Sequence, residues 1–525
     1  TKRKTLLAGL VGLFAAGGAT QVAAQGGEAA TSQSAIDEII VTVTKRSELL
    51  QDIPQSVSVL GSEEINDRGL VGMADYLRSV PGVNQIDTGY INSVVMRGIT
   101  TTPDFEANSS SPTVGIYFGE IPLSGTSPIF GSIDLKLVDM ERIEVLRGPQ
   151  GTLHGSASLG GALRNIPVAP NLSETEGFIA TSYSNTARNG GDNTMLQGVL
   201  NVPIIEDTLA IRAVVYKYDN DGYINNIAGS DPDVQAVAIA NNAANLAVDQ
   251  NNVGGSEYTG ARLSALWNIS DKLNATLTYV SQDVDQDGNV DINPITSTRY
   301  EQTRLQLGSP LGGGERTGDH SDITNLVVNY DFGWGSLVSS SSFIENEAKF
   351  FGDFGALIGT SLPIAHRVPG KYEAFSQELR LVSELDGKFQ FIIGAYYHDA
   401  SADRLQNVYW TGGDPTQNIF GIDNIFTKNT REDTKEKAIF GEVSYFLNEK
   451  LKVSLGGRLF DYEKYEVDFR SGHFNGGTET TDINIGDDKG EILKANLSYS
   501  ANDDAMFYGQ WSEGYRLGRA QAPLP

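Results

Sequence analysis

The sequence predicts an all-β transmembrane barrel preceded by a compact α+β unit, and three observations carry that expectation. About thirteen stretches near ten residues long alternate apolar and polar side chains with a two-residue period. Short turns and long polar connections take turns between them, the asymmetry of an outer-membrane barrel. The chain also holds 58 Gly, 21 Tyr and 21 Phe, a supply suited to turns, strand faces and interfaces.

Taken in chain order, the amino terminus comes first. Lys2, Arg3 and Lys4, the small apolar run Leu6 to Ala16, and Val22-Ala23-Ala24 have the three-part layout of an export signal, expected over 1–25. The apolar run is shorter than the ~20 residues a membrane-spanning helix needs. A periplasmic segment is expected over 26–50. Residues 51–170 are short, mixed and loop-rich, the texture of an α+β unit with a helix near Gly72 to Arg78.

Residues 171–525 read as the barrel. In Thr259 to Asn268, Ala261, Leu263, Ala265 and Trp267 share one face, opposite Gly260, Arg262, Ser264 and Asn268. Leu273 to Gln282 repeats the rhythm. Strands are expected also near 176–186, 193–202, 208–218, 322–332, 336–345, 374–383, 389–398, 438–447, 451–462, 491–500 and 505–514, each long enough to cross a bilayer when tilted. Long polar loops are expected near 219–257, 284–321, 346–372, 399–436 and 463–490. A bacterial barrel has an even strand number, so the odd count before Ala522-Pro-Leu-Pro525 predicts a carboxy-terminal truncation.

Composition and motifs exclude several classes. A net charge of -27, from 66 acidic against 39 basic residues, opposes nucleic-acid binding. With no Cys there is no thiolate metal site and no cysteine nucleophile. The run Gly155 to Gly160 has the two-glycine spacing of a phosphate loop, but Gly161 and Ala162 stand where Lys and Ser/Thr are required. Neither HExxH nor Gly-x-Ser-x-Gly occurs, so the chain is read as a non-enzyme with no cofactor and no metal site. Asp283 to Asp291 copies much of an EF-hand loop, yet Pro294 replaces the bidentate Glu; a solvated acidic loop is the expectation.

One stretch carries a resemblance. Arg147-Gly-Pro-Gln-Gly-Thr-Leu-His-Gly155, preceded by Ile143-Glu-Val-Leu146 and followed by Gly160-Gly161-Ala162, resembles the plug-domain signature of TonB-dependent outer-membrane receptors. Val80-Pro-Gly-Val83, Val95-Met-Arg-Gly-Ile99, Val114-Gly-Ile-Tyr117 and Asp134 to Arg142 follow the family's order and spacing. The likeness continues at Phe375 to Leu381, Ile439 to Val443, Leu455 to Arg458 and Tyr508 to Gly518, covering nearly the whole chain. Three positions depart from it: Gly119-Glu120 after Tyr117-Phe118, His154 where Tyr is usual, and Pro167 where Thr is usual.

The resemblance implies a barrel of about 22 strands with the α+β unit lodged in its lumen as a plug. It implies a TonB box in Asp37 to Arg46, with Ile39, Ile40, Val41, Thr42, Val43 and Thr44 as the coupling segment, an exposed β-branched run able to add to a partner's sheet. It pairs plug arginines with wall glutamates, here Arg97 and Arg147 with Glu378 and Glu442, as an ionic lock. The implied partners are the TonB energy-transducing complex, outer-membrane lipid and a small-molecule ligand such as an iron chelate. The implied function is active transport of a scarce nutrient, first a ferric siderophore, then a vitamin, glycan or aromatic compound. A passive porin or a surface binding protein is the alternative of another class.

Overall fold

A computed structural model describes residues 39–87, 92–100, 111–127, 129, 131–187, 190–290, 300–306, 314–412, 424–502 and 505–518. The expected export signal lies outside the described residues.

The amino-terminal unit is built from short strands. β1 (Ile40–Val41) pairs with β2 (Glu48–Leu49). β3 (Ser56–Gly61) belongs to a five-stranded sheet, and β4 (Val83–Asp87) pairs separately with β5 (Asn92–Met96). β6 (Val114–Phe118), β7 (Ile121–Pro122), β8 (Met140–Arg147) and β9 (Gly161–Pro167) complete that sheet in the order β3-β8-β9-β6-β7. β8 is an interior strand, paired on both edges and covered on both faces, which is why Ile143, Val145 and Leu146 can follow one another with so little polar interruption. A helix over Met73–Leu77 packs Met73, Tyr76 and Leu77 into the same core, within one residue of the expected span. At Gly161 a Cβ would overlap Met96 Sδ and the Leu146 carbonyl, so the glycine of the motif serves close packing.

The rest of the chain is a wall. β10 (Glu176–Asn185), β11 (Asp192–Ile205) and β12 (Leu209–Asn220) begin it; β13 (Ile224–Ile227) and β14 (Asp249–Val253) leave it for a small outer sheet. β15 (Gly255–Ser270) and β16 (Leu273–Asp287) resume it, and β17 (Glu301–Gln302) joins the outer sheet. β18 (Arg316–Asp331), β19 (Gly335–Asp353), β20 (Ile364–Ser383), β21 (Phe389–Trp410), β22 (Asn424–Asn448), β23 (Leu451–Ser471), β24 (Thr480–Asn502) and β25 (Ala505–Ser512) follow. Apart from the outer three, consecutive strands pair antiparallel, giving one 13-stranded sheet, the number expected.

The long loops are shorter than expected. β21 and β22 run for 22 and 25 residues, well into the stretch 399–436 assigned to a loop. Likewise Asp283 and Asp285, expected in an acidic loop, lie in β16 opposite β18. The apolar rhythm stops at the edge of the lipid, but backbone pairing does not. Above it both faces turn polar while the ladder continues, as in Glu432↔Glu466 and Lys435↔Glu463. Hydrophobic patterning therefore locates the membrane band rather than the strand ends.

That band is inside out. Ile439, Leu455 and Leu459 point outward with more than half their surface exposed, while Ser340, Asn346 and Arg458 point inward and are buried. Aromatic residues bound it: Tyr330, Phe332 and Trp334 stack at one end, and Phe343, Phe375 and Tyr397 at the other. Trp334 to Phe343 is about 30 Å of strand, or about 23 Å across at ~40° tilt, close to the ~25 Å apolar belt of an outer-membrane barrel. No helix among the described residues is long and apolar enough to cross a membrane.

Candidate coupling and gating site

The segment expected to couple divides between solvent and core. Ile39 and Ile40 are exposed, whereas Val41, Val43 and Thr44 are buried. Alternation explains the split: Val41 and Val43 pack into a cluster with Ile53, Leu146 and Ala162. The fully exposed run expected from the sequence is thus corrected to an exposed pair followed by a clamped stretch. Thr42 is the clamped residue, its N–H donating to Glu144 Oε1 at 2.9 Å and its hydroxyl accepting from Arg164 Nη1 at 2.7 Å. His154 Nε2 meets the Val43 carbonyl at 3.0 Å. A carbonyl only accepts, so Nε2 carries the proton; burial, then the nearby Lys45 and Arg164 charges, push the imidazole well below its usual range and keep it neutral.

The next two residues reach the wall. Lys45 Nζ sits 2.6 Å from Glu378, and Arg46 donates to the Ser383 carbonyl at 2.6 Å and to that of Phe391. Ser383 ends β20 and Phe391 is the third residue of β21, so these contacts lie at the short-turn rim.

The expected ionic lock has other members. Glu378 takes Lys45 and Arg380, and Glu442 takes Lys494 at 2.7 Å, instead of Arg97 and Arg147. Arg147 donates instead to the Pro81 carbonyl and the Ser58 hydroxyl, both at 3.1 Å within the plug, and Arg97 Nη1 lies beside Gly148. The physical reason is supply: Lys45 and Arg380 already neutralise Glu378 at hydrogen-bonding distance. Among the crossing pairs that form on this side are Lys45–Glu378 and Glu120–Arg380, the latter at 2.6 Å. Burial alone would raise the Glu120 carboxyl, but Arg380 and Arg164 outweigh it and hold it below the carboxylate range. Glu120 is one of the three departures from the family pattern, and a continuous relay, Lys45–Glu378–Arg380–Glu120–Arg164–Glu144, runs through it.

A second seam holds the opposite side. Asp139, in the left-handed region at φ 58°, receives Arg212 of β12 and Arg262 of β15, each at 2.6 Å. Gln282 of β16 accepts from Lys136 N at 3.1 Å and donates to the Asp134 carbonyl at 2.9 Å. Lys136 Nζ stands 3.5 Å over the Tyr258 ring. Sequence reading quoted Asp134 to Arg142 as a motif without assigning these roles. The available signal was parity: Arg212 and Arg262 are charges on the lumen face of otherwise apolar strands.

Comparison with known proteins agrees with this architecture. The model described as "TonB-dependent Receptor Plug Domain" matches residues 49–162, and "TonB dependent receptor-like, beta-barrel" matches 267–523. The pesticin receptor of Yersinia pestis is 22% identical over 492 residues, 93% of this chain and 65% of that protein. An iron-regulated outer membrane virulence protein of Vibrio cholerae is 30% identical over 143 residues, 25% of this chain and 20% of its own. The crystal structure of the ferric yersiniabactin uptake receptor FyuA from Yersinia pestis superposes with a TM-score of 0.72 at 18% identity, covering 88% of this chain and 65% of that one. The unliganded ferric citrate transporter FecA gives a TM-score of 0.66 at 13% identity, over 87% of this chain and 62% of its own. The chain therefore spans about 65% of the length of the curated relatives it matches first.

Proposed function

Since the chain belongs to the TonB-dependent receptor family, a family of outer-membrane transport receptors rather than enzymes, we propose that it takes up a ferric siderophore under TonB power. The observation that carries this reading is the segment 39–46. It offers an exposed Ile39-Ile40 pair at the short-turn rim and is tied, within six residues, to both plug and wall.

In this reading cargo binds on the side of the long connections, and a periplasmic partner adds a strand along Ile39-Ile40. Tension on that strand would first strip Thr42 from Glu144 and Arg164, then Lys45 from Glu378. Each step leaves a buried charge short of a partner, which is how a local pull loosens a seam far larger than the segment pulled. The siderophore class is supported by the relatives: FyuA is a ferric yersiniabactin uptake receptor, PiuA of Acinetobacter baumannii a siderophore receptor, and Fiu a ferric-catecholate import receptor.

The test is uptake of a panel of iron-loaded siderophores, with cobalamin and a glycan as further arms, by iron-limited cells with and without TonB. Accumulation of one iron chelate that vanishes without TonB, and vanishes again on deleting 39–44, is the expected result. Uptake indifferent to both would replace this reading with a passive porin.

A further inference from the structure

We infer that the plug is hinged on one sector of the wall and opens on the other, so that cargo passes between plug and β20–β23 while residues 134–139 stay fastened to β12–β16. This rests on the transport reading above, but its geometric core is separable from it.

Two observations differ in kind. On the β12–β16 side the contacts come from one short stretch: Asp139 holds two arginines, Arg262 also donates to the Val138 and Asp139 carbonyls at 3.1 and 3.0 Å, and Val138 packs with Val199 and Val214. None of these groups belongs to the segment a periplasmic partner would pull. On the other side the plug faces a cavity of about 130 Å³, lined along β21 by Tyr396, His398, Ala400 and Ala402. Those four inward positions cover about 20 Å of strand.

The cavity is a narrow seam as it stands. Its volume suits a few waters at ~30 Å³ each, against the 300 Å³ or more that a drug-sized ligand needs. It does not have to be cut open, only widened, because Ser156 of the plug meets the wall there through a single hydrogen bond to Glu436 at 2.8 Å, and His154 lines the gap with its Nε2 bonded to the Val43 carbonyl rather than to the wall. Two crossing pairs sit on its border: Lys45–Glu378, contributed by the residue next to the coupling segment, and Glu120–Arg380. The second is linked to the first through the Arg380–Glu378 contact and so is loaded with it. Pulling on 39–44 therefore loads this border before it loads Asp139. The lining of hydroxyl, phenol and imidazole groups suits an oxygen-rich, hydrogen-bonding solute rather than an apolar one.

The chain lacks cysteine, so one introduced thiol reports one place. Ser376 on the cavity and Ser264 on β15, two residues from Arg262, are equally buried at 5% exposure. Purified Ser376→Cys and Ser264→Cys proteins are treated with a bulky maleimide across a urea series below the loss of β-sheet circular dichroism. The expected result is that Ser376→Cys reacts about tenfold faster or more at intermediate urea, because its border depends on a strippable ion pair. Adding Lys45→Met moves Ser376→Cys reactivity to lower urea and leaves Ser264→Cys unchanged. Simultaneous labelling, or Ser264→Cys first, overturns the inference. The same thiols in iron-limited cells with and without TonB separate the two claims: the urea order with no TonB effect removes the transport reading and leaves the hinge standing.

Discussion

In the wall, Ile439, Leu455 and Leu493 face outward into the apolar belt; in the plug, Ile143, Val145 and Leu163 are wholly enclosed. Both regions are β-sheet made from the same side chains, yet one puts its charges inside and the other keeps most of them at its edge. The difference follows from the solvent on each side of the sheet. Lipid makes the outer face the apolar one and turns the lumen into the polar interior, where every charge needs a partner. The two systems meet at the seam, and that is where Lys45, Glu120, Asp139, Arg212, Arg262 and Arg380 gather.

The contrast can be broken at the seam, in the wall or in the plug. Asp139→Asn should act most strongly, since it leaves two buried guanidiniums without their anion; about 3–5 kcal/mol of plug docking should be lost, read as plug release at lower urea with the barrel intact. Ile439→Arg should cost about 2–4 kcal/mol of barrel insertion, measured by refolding into vesicles, and leave plug docking unchanged. Gly161→Ala should do the reverse, costing about 1–3 kcal/mol through overlap with Met96 and the Leu146 carbonyl, seen in plug release and not in barrel refolding.

The most local effect belongs to the outer connections. Asp353, at the far end of β19, accepts from Leu305 N and Ala356 N, and burial, then the nearby Glu315, raise its carboxyl from 3.8 to about 7. A raised folded value means the folded state keeps a proton that the opened state releases. The outer cluster should be firmest below 3.8, weaken as pH climbs toward about 7, and level off above it. Hydrogen exchange at Leu305 and Ala356, corrected for intrinsic rates, should show that slope, and Asp353→Asn should flatten it.

How far the sequence carried the reading depends on which physics wrote each part. Strands such as Thr259 to Asn268 were legible because lipid on one face imposes a two-residue period that no packing detail can blur. Their extensions, like Arg431 to Lys437 of β22, were not, because polar residues on both faces look the same in a ladder and in a loop. The plug was legible through its glycine motif rather than its periodicity, since β8 is covered on both sides. The ion pairs were the least legible. Arg380 shares parity with Glu378 in the sequence, but nothing in the chain order says that Lys45, 333 residues away, arrives first. Pairing across a lumen depends on how the plug is rotated, and that is set by the whole seam.

The most direct test of the account concerns Ile40, which it leaves exposed at the rim one residue before the chain is clamped. Ile40→Cys can be trapped as a disulfide with a cysteine-bearing TonB in iron-limited cells, free of background thiols in this chain. The expected result is an adduct at Ile40→Cys that exceeds that at the buried Val43→Cys. An assembled barrel with no adduct at either position, or with more at Val43→Cys, would contradict it.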